Sequence, residues 1–226
     1  MDLGKRIDFH THTLLSDGAL IPSELIRQAE MIGYKAIGIT DHVDASNLEE
    51  TIDKMLRLLS KQQFPIMVIP GVELSYVHPD NIPALAKEAR KLGAKLIIVH
   101  GETTAFDEPV YPGTNRVAAS LKGYVDIIAH PGAITREEAA EAARNGIYLE
   151  LSAKKAHGEN NPHIVKIARE TGAKLLVNTD AHNAEQLLDQ QGAYTLALNT
   201  GLNETEARQA IIENPEALLK RLGFGK

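Results

Sequence analysis

At 226 residues the chain fits one large α/β domain or two small ones, with ample length for a core. Its hydrophobic share of 43% and charged share of 24% are those of an ordinary soluble protein, and a net charge of −6 argues against a broad electrostatic nucleic-acid surface. Cysteine is absent, which excludes disulfides and thiolate sites, so any metal must be held by nitrogen and oxygen.

Short apolar runs recur along the chain, at residues 7–9, 36–39, 66–69, 96–99, 125–129, 147–151 and 175–177. Their nearly continuous hydrophobicity marks strands buried on both faces. Helical patterns alternate with them. Pro22 opens the first, Leu25, Ile26, Ala29 and Ile32 form its apolar stripe, and Gly33 closes it. Residues 48–59 read the same way, as do 82–92 before Gly93. Thr135 and Glu138 make a capping-box pattern for a helix ending before Gly146, and another runs from Pro162 to Gly172. From Asn183 onward the chain reads as helices: a segment to Leu202, one from Asn203, and a last one from Pro215. No linker interrupts the series, so one domain over residues 1–226 is expected, an α/β fold whose repeated βα units form a closed or nearly closed parallel barrel.

In such a barrel the functional face lies at the C-terminal ends of the strands. The residues after each run are therefore informative. The first is followed by His10-Thr11-His12 and Ser16-Asp17-Gly18, the second by Thr40-Asp41-His42, and the third by Gly71-Val72-Glu73. His100 and His130 follow the fourth and fifth. Glu150, Ser152, Lys154 and Lys155 lie near the end of the sixth, and the seventh leads into Thr179-Asp180-Ala181-His182. His10, His12, Asp17, His42, Glu73, His100, His130, Asp180 and His182 would then share one rim. That many imidazoles and carboxylates exceed what one zinc ion needs, and suit a cluster of two or three metals. A polar mouth without metal would leave costly groups unpaired.

These segments, in this order and spacing from residue 5 to about 190, closely resemble the PHP (polymerase and histidinol phosphatase) family. The resemblance implies a distorted (β/α)7 TIM-like barrel with C-terminal helices and a centre of two to three divalent ions of zinc, manganese or iron. Carried over by position, it implies that His10, His12, Glu73 and Asp180 hold one metal. Glu73 would bridge to a second held by His100 and His130, while Asp17, His42 and His182 hold the third. Asp17 stands where some family members have histidine. Catalysis is expected to depend most on Glu73, Asp180 and His182.

The implied activity is that of a metal-dependent phosphoesterase, in which metal-bound hydroxide attacks phosphorus. A phosphomonoesterase on a small metabolite, similar to histidinol phosphatases, is the leading reading. A phosphodiesterase or 3′ exonuclease, for which nucleic acid would be substrate only, is the alternative, as is a non-catalytic metal-binding module. Hydrolysis of a C–N bond fits the Asp180/His182 pair less well. Phosphate is expected to be gripped by a rim cation: Lys155 aimed at the metals, with Lys154 pointing away along an extended backbone, or Arg116 in the long fourth loop. Asp41 is a candidate for orienting a ligand histidine. His157 in the sixth loop is a candidate substrate contact, whereas His78 and His163 read as structural. No stretch approaches the ~18 consecutive apolar residues of a membrane span, and the N-terminus lacks a signal-peptide pattern. The expected location is the cytoplasm, without a membrane partner.

Overall fold

Alternation of side chains decides what lies inside this molecule. The computed structural model describes residues 2–104 and 108–224. Its strands in chain order are β1 (Arg6–Asp8), β2 (Tyr34–Ile39), β3 (His42–Val43), β4 (Met67–Leu74), β5 (Leu96–His100), β6 (Ile127–Ala129), β7 (Tyr148–Ser152) and β8 (Leu175–Asn178). They pair in parallel along β1-β2-β4-β5-β6-β7-β8, with β3 attached to β4. Past the ends of β1 and β8 the chain nearly closes the ring. His12 N donates to the Ala181 carbonyl at 2.8 Å, and Asp180 N to that of His10 at 2.9 Å. The expected TIM-like barrel of seven strands is what forms.

Between the strands run α1 (Pro22–Met31), α2 (Leu48–Lys61), α3 (Ile82–Leu92), α4 (Thr114–Ser120), α5 (Arg136–Asn145), α6 (Lys155–Gly158) and α7 (Asn161–Thr171). Then come α8 (Gln190–Asn199), α9 (Glu204–Arg208) and α10 (Asn214–Arg221), the last two joined through one π-helical turn. Thr135 caps α5 with the capping box that the sequence announced. Gly146 then ends that helix at φ 70, a left-handed geometry that costs a glycine nothing. The short helices α4 and α6 carry too few turns for periodicity to reveal them. In the C-terminal part, the first helix begins only at Gln190, because residues 183–189 form a turn and its Asp189 cap.

Leu96 and Ile98 face the barrel interior with Ile7, Ile69, Ile127, Tyr148 and Leu176. Their neighbours Ile97, Val99, Leu149 and Val177 face the helices. Leu218 and Leu219 of α10 join the interior cluster, so the last helix helps fill it. Arg6 is fully buried between β1 and β8, donating to the Val177 carbonyl at 2.7 Å and to Asp8 Oδ2 at 3.1 Å.

The third apolar run extends further than its hydrophobicity suggested. Residues 67–70 of β4 pair with β2, and residues 71–74 pair with β5. The change of partner falls at Pro70-Gly71, where proline offers no N–H and a side chain on Gly71 would meet the Leu96 carbonyl at 2.8 Å. This extension carries Glu73 into the rim. Among the described residues no helix is long and apolar enough to cross a membrane.

Candidate metal centre

The interior face of each strand, continued upward, ends in a polar residue. Leu96 and Ile98 lead to His100, Ile69 leads through Gly71 to Glu73, Tyr148 leads to Glu150, and Leu176 leads through Asn178 to Asp180. The period of two that fills the core therefore also aims these side chains at one point. His130 and Asp180 depart from extended geometry, with φ of 31 and 53, and turn inward just beyond β6 and β8. All of His10, His12, Glu73, His130 and Asp180 are almost completely buried.

Ligand-type atoms converge in four overlapping groups among the described residues, each within 4.8 Å. They are His12-Asp17-His42-His182, His10-Glu73-His130, His10-His12-Asp180 and His130-His157-Asp180. The grouping implied by the family resemblance thus differs in detail. His12 also faces the Asp17 group, and His130 stands with His10 and Glu73. His100 falls outside these groups; its ring lies edge-on to His130 at 4.5 Å, with Nε2 at 3.4 Å from Glu108 Oε2.

Several histidines are oriented through the ring nitrogen that faces away from the centre. Nδ1 of His10 lies 2.8 Å from Glu150 Oε2, and Asn178 Nδ2 donates to that same oxygen at 2.9 Å. His100 and His182 place Nδ1 against the carbonyls of Gly101 and Asp180, at 3.2 Å and 2.8 Å. This leaves Nε2 turned inward, the arrangement that fixes ring orientation in metal sites. Nε2 of His10 and of His12 lie only 3.0 Å apart.

Charge is distributed accordingly. Burial works against a proton on His10, yet Glu150, Glu73 and Asp180 outweigh it and raise its pKa well above 6.5. Burial would likewise raise Glu73, but His10 and His42 hold its carboxyl well below the usual range. His12 is pushed down to about 3 by burial and by the neighbouring His42 and His10, so it is neutral at physiological pH. Burial, with His100 and His157 beside it, also keeps His130 neutral. The residues suit a cation. Among the described residues the buried atoms His12 Nδ1, Glu73 Oε1, His130 Nδ1 and Glu150 Oε1 have no hydrogen-bond partner, and nitrogen and oxygen donors of this kind suit a divalent metal ion.

Three expectations about the rim are corrected. Lys154, not Lys155, reaches the centre, with Nζ at 3.3 Å from Asp180 Oδ2. The backbone bends into α6 there, so the extended alternation that favoured Lys155 fails and Lys155 is exposed. Among the described residues Asp41 bonds no histidine: it accepts from Thr13 N (2.7 Å), Thr13 Oγ1 (2.8 Å) and Ser16 Oγ (2.7 Å), pinning the loop that carries Asp17. Arg116 lies on the exposed side of α4 and forms no ion pair with the centre among the described residues.

Two acidic residues outside the nine candidate ligands, Glu150 and Glu108, also reach histidines of the centre. Glu150 could have been recognised as a carboxylate inside a buried apolar strand, a placement that demands a partner. Glu108 follows residues 105–107 of the long fourth loop, which lie outside the described residues. Its proximity to His100 and His157 left no local signal. His157, an expected substrate contact, is buried and stacked on His130 at 3.8 Å between ring centres. His163 sits exposed on α7 and reaches the Ile134 carbonyl at 2.9 Å, while His78 caps a 3-10 turn.

The model of the PHP domain family matches residues 8–218. Over 220 residues the chain is 44% identical to the uncharacterized protein MJ1295 of Methanocaldococcus jannaschii, covering 96% of this chain and 100% of that one. A "Probable phosphatase" of Shewanella halifaxensis is 30% identical over 94% of this chain and 90% of its own length. The DNA polymerase/3'-5' exonuclease PolX of Bacillus subtilis is also 30% identical over 95% of this chain, which spans only 41% of PolX. Among solved structures, a chain of an archaeal ribonuclease P complex with mature tRNA superimposes at a TM-score of 0.70. It is 16% identical over 97% of this chain and 92% of that chain, and so speaks for the fold alone.

Proposed function

The chain belongs to the PHP domain family, and on that premise we propose that it is a metal-dependent phosphoesterase, acting on monoesters of small metabolites. The observation that carries this reading is the convergence of buried, partly unpartnered imidazole and carboxylate atoms on one rim of the barrel. His10, His12, Glu73, His130 and Asp180 would hold the inner ions, and Asp17, His42 and His182 with His12 the outer one. His100 stands beside the inner group. Two to three divalent ions there would acidify a water molecule and neutralise the phosphate oxygens under attack.

The chain's own residues do the rest. Glu150 holds His10 in one ring orientation, and Asp41 fixes the loop bearing Asp17. Lys154, a third exposed and already directed at the centre, is placed to bind a phosphate oxygen once cations satisfy Asp180. The net charge of −6 favours small substrates over polynucleotides. The match to PolX supports a second reading, phosphodiester cleavage. A substrate panel with metal-reconstituted protein separates the two: aryl phosphates, histidinol phosphate, nucleotides and short oligonucleotides. Turnover of monoesters alone is expected. Turnover of oligonucleotides alone would favour the second reading, and no turnover with any metal would end both.

A further inference from the structure

The ring of strands is completed between β1 and β8 through side chains. Among the described residues these two end strands share no ladder, and the bridge of Thr11 with Ala181 lies past the strand ends. Buried polar groups span the gap instead. Arg6 donates to the Val177 carbonyl at 2.7 Å, Asn178 Oδ1 accepts from Phe9 N at 3.1 Å, and Asp8 Oδ1 accepts from Thr179 N at 3.3 Å. The same Asp8 oxygen accepts from His10 N at 3.2 Å. Arg6, Asp8 and Asn178 have no solvent exposure.

A ladder bond joins one N–H to one carbonyl. Asp8 Oδ1 instead draws an N–H from each side of the gap to a single atom, which a carboxylate oxygen allows through its lone pairs and charge. Those N–H groups belong to His10 itself and to the residue before Asp180. One bond further along, Asp180 N donates to the His10 carbonyl at 2.9 Å. Two successive N–H groups are therefore anchored where the backbone enters the left-handed geometry of Asp180, at φ 53, which persists only under constraint. The ligand atoms brought together this way are close: Asp180 Oδ1 lies 3.1 Å from His12 Nε2 and 3.7 Å from His10 Nε2. Oδ2 of Asp8 accepts from Arg6 at 3.1 Å and from Tyr34 at 3.3 Å, so its charge is balanced inside the barrel and is not itself offered to the centre.

We propose that Asp8 is a positioning residue for the metal centre. Through the N–H groups of His10 and Thr179 it holds the ends of β1 and β8 at the separation and height that let His10, His12 and Asp180 share one cation. This rests on the metal-dependent part of the reading above and not on the reaction catalysed.

Cobalt(II) is the probe, read by its affinity and by its visible ligand-field spectrum, with melting curves recorded on the same proteins. Asp8→Ala orphans two buried N–H groups and should lower cobalt affinity about 10–100-fold, with an altered spectrum. Asp8→Asn keeps an accepting oxygen but leaves Arg6 without its countercharge, so it should melt lower than wild type while binding cobalt nearly as well. That split between stability and affinity is not expected of a residue that only holds the fold together. Arg6→Met combined with Asp8→Ala removes the buried pair as a unit, which protects folding, and should lose affinity as Asp8→Ala does. Tyr34→Phe touches Asp8 but neither anchored N–H, and should bind cobalt as wild type does. Wild-type affinity and spectrum in both Asp8→Ala and the double variant overturn the proposal. So does a loss of affinity in Asp8→Asn or Tyr34→Phe equal to that in Asp8→Ala. If no ester is hydrolysed while these differences in cobalt binding hold, the phosphoesterase reading fails and the role of Asp8 stands. If esters are turned over and cobalt binding is indifferent to Asp8, the reverse is true.

Discussion

His10 and Glu150 meet at 2.8 Å inside the barrel, both without solvent exposure, and this contact turns Nε2 of His10 toward Glu73 and Asp180. The pair is 140 residues apart in the chain and exists because β1 and β7 both flank β8 in the nearly closed sheet. Removing the charge of Glu150 while keeping its shape tests the relationship. Glu150→Gln should lower metal affinity about 10–100-fold, as loss of an orienting partner does in metal sites. Metal titration followed by elemental analysis reads this directly, and unchanged affinity would mean that His10 is positioned by packing alone.

Lys154 and Lys155 are adjacent in sequence but differ in environment. One charged hydrogen bond is worth about 1.5–3 kcal/mol, so Lys154→Ala should reduce kcat/KM roughly ten- to a hundredfold. Metal content should hold, because no ligand is lost. Lys155→Ala and Arg116→Ala should resemble wild type. The ranking is wrong if Lys154→Ala keeps full activity, or if Arg116→Ala alone is impaired.

Metal loading should release protons and weaken in acid. Against the opposition of burial, the facing carboxylates raise the pKa of His10 well above 6.5 and raise that of His42, which favours the protonated rings in the ion-free protein. A cation must displace such protons, so affinity falls as the pH is lowered. Calorimetry in buffers of different ionisation enthalpy counts the protons released. Stripping the ions with a chelator should lower the melting temperature, because bound ligand stabilises the folded state by mass action. An affinity independent of pH would show that the rings are neutral before loading.

At the other end of β1, Tyr34 donates to Asp8 Oδ2 at 3.3 Å. Burial, and then the Asp8 charge, raise its pKa above the ordinary 10.0. The folded phenol therefore keeps its proton where the unfolded chain loses it. The stabilising contribution is complete below pH 10.0 and declines as pH rises beyond it. Tyr34→Phe should melt lower at neutral pH but lose less stability than wild type between neutral pH and about pH 11. Parallel melting curves for the two proteins across that range would refute the assignment.

Much of this was written locally. The apolar runs named the seven principal strands, Thr135 with Glu138 named a helix start, and reading past each run named nine residues that do gather at one rim. Local chemistry suffices there, because strand burial, helix capping and the period of two depend on near neighbours. What lay outside that reach depended on where the chain bends and what then comes close. Lys154 displaced Lys155 because α6 breaks the extended alternation at that point. Asp41 serves a loop instead of a histidine because Thr13 and Ser16 fold back onto it. Glu150 and His157 joined the centre through contacts across 140 residues to His10 and across a stacked ring to His130. The sequence by itself determined the barrel, its functional rim and the residue types gathered there. Only the tertiary structure decided which atoms face inward and which carboxylates orient rings, since those depend on closing the ring of strands and on backbone turns at His130 and Asp180 that no local pattern encodes.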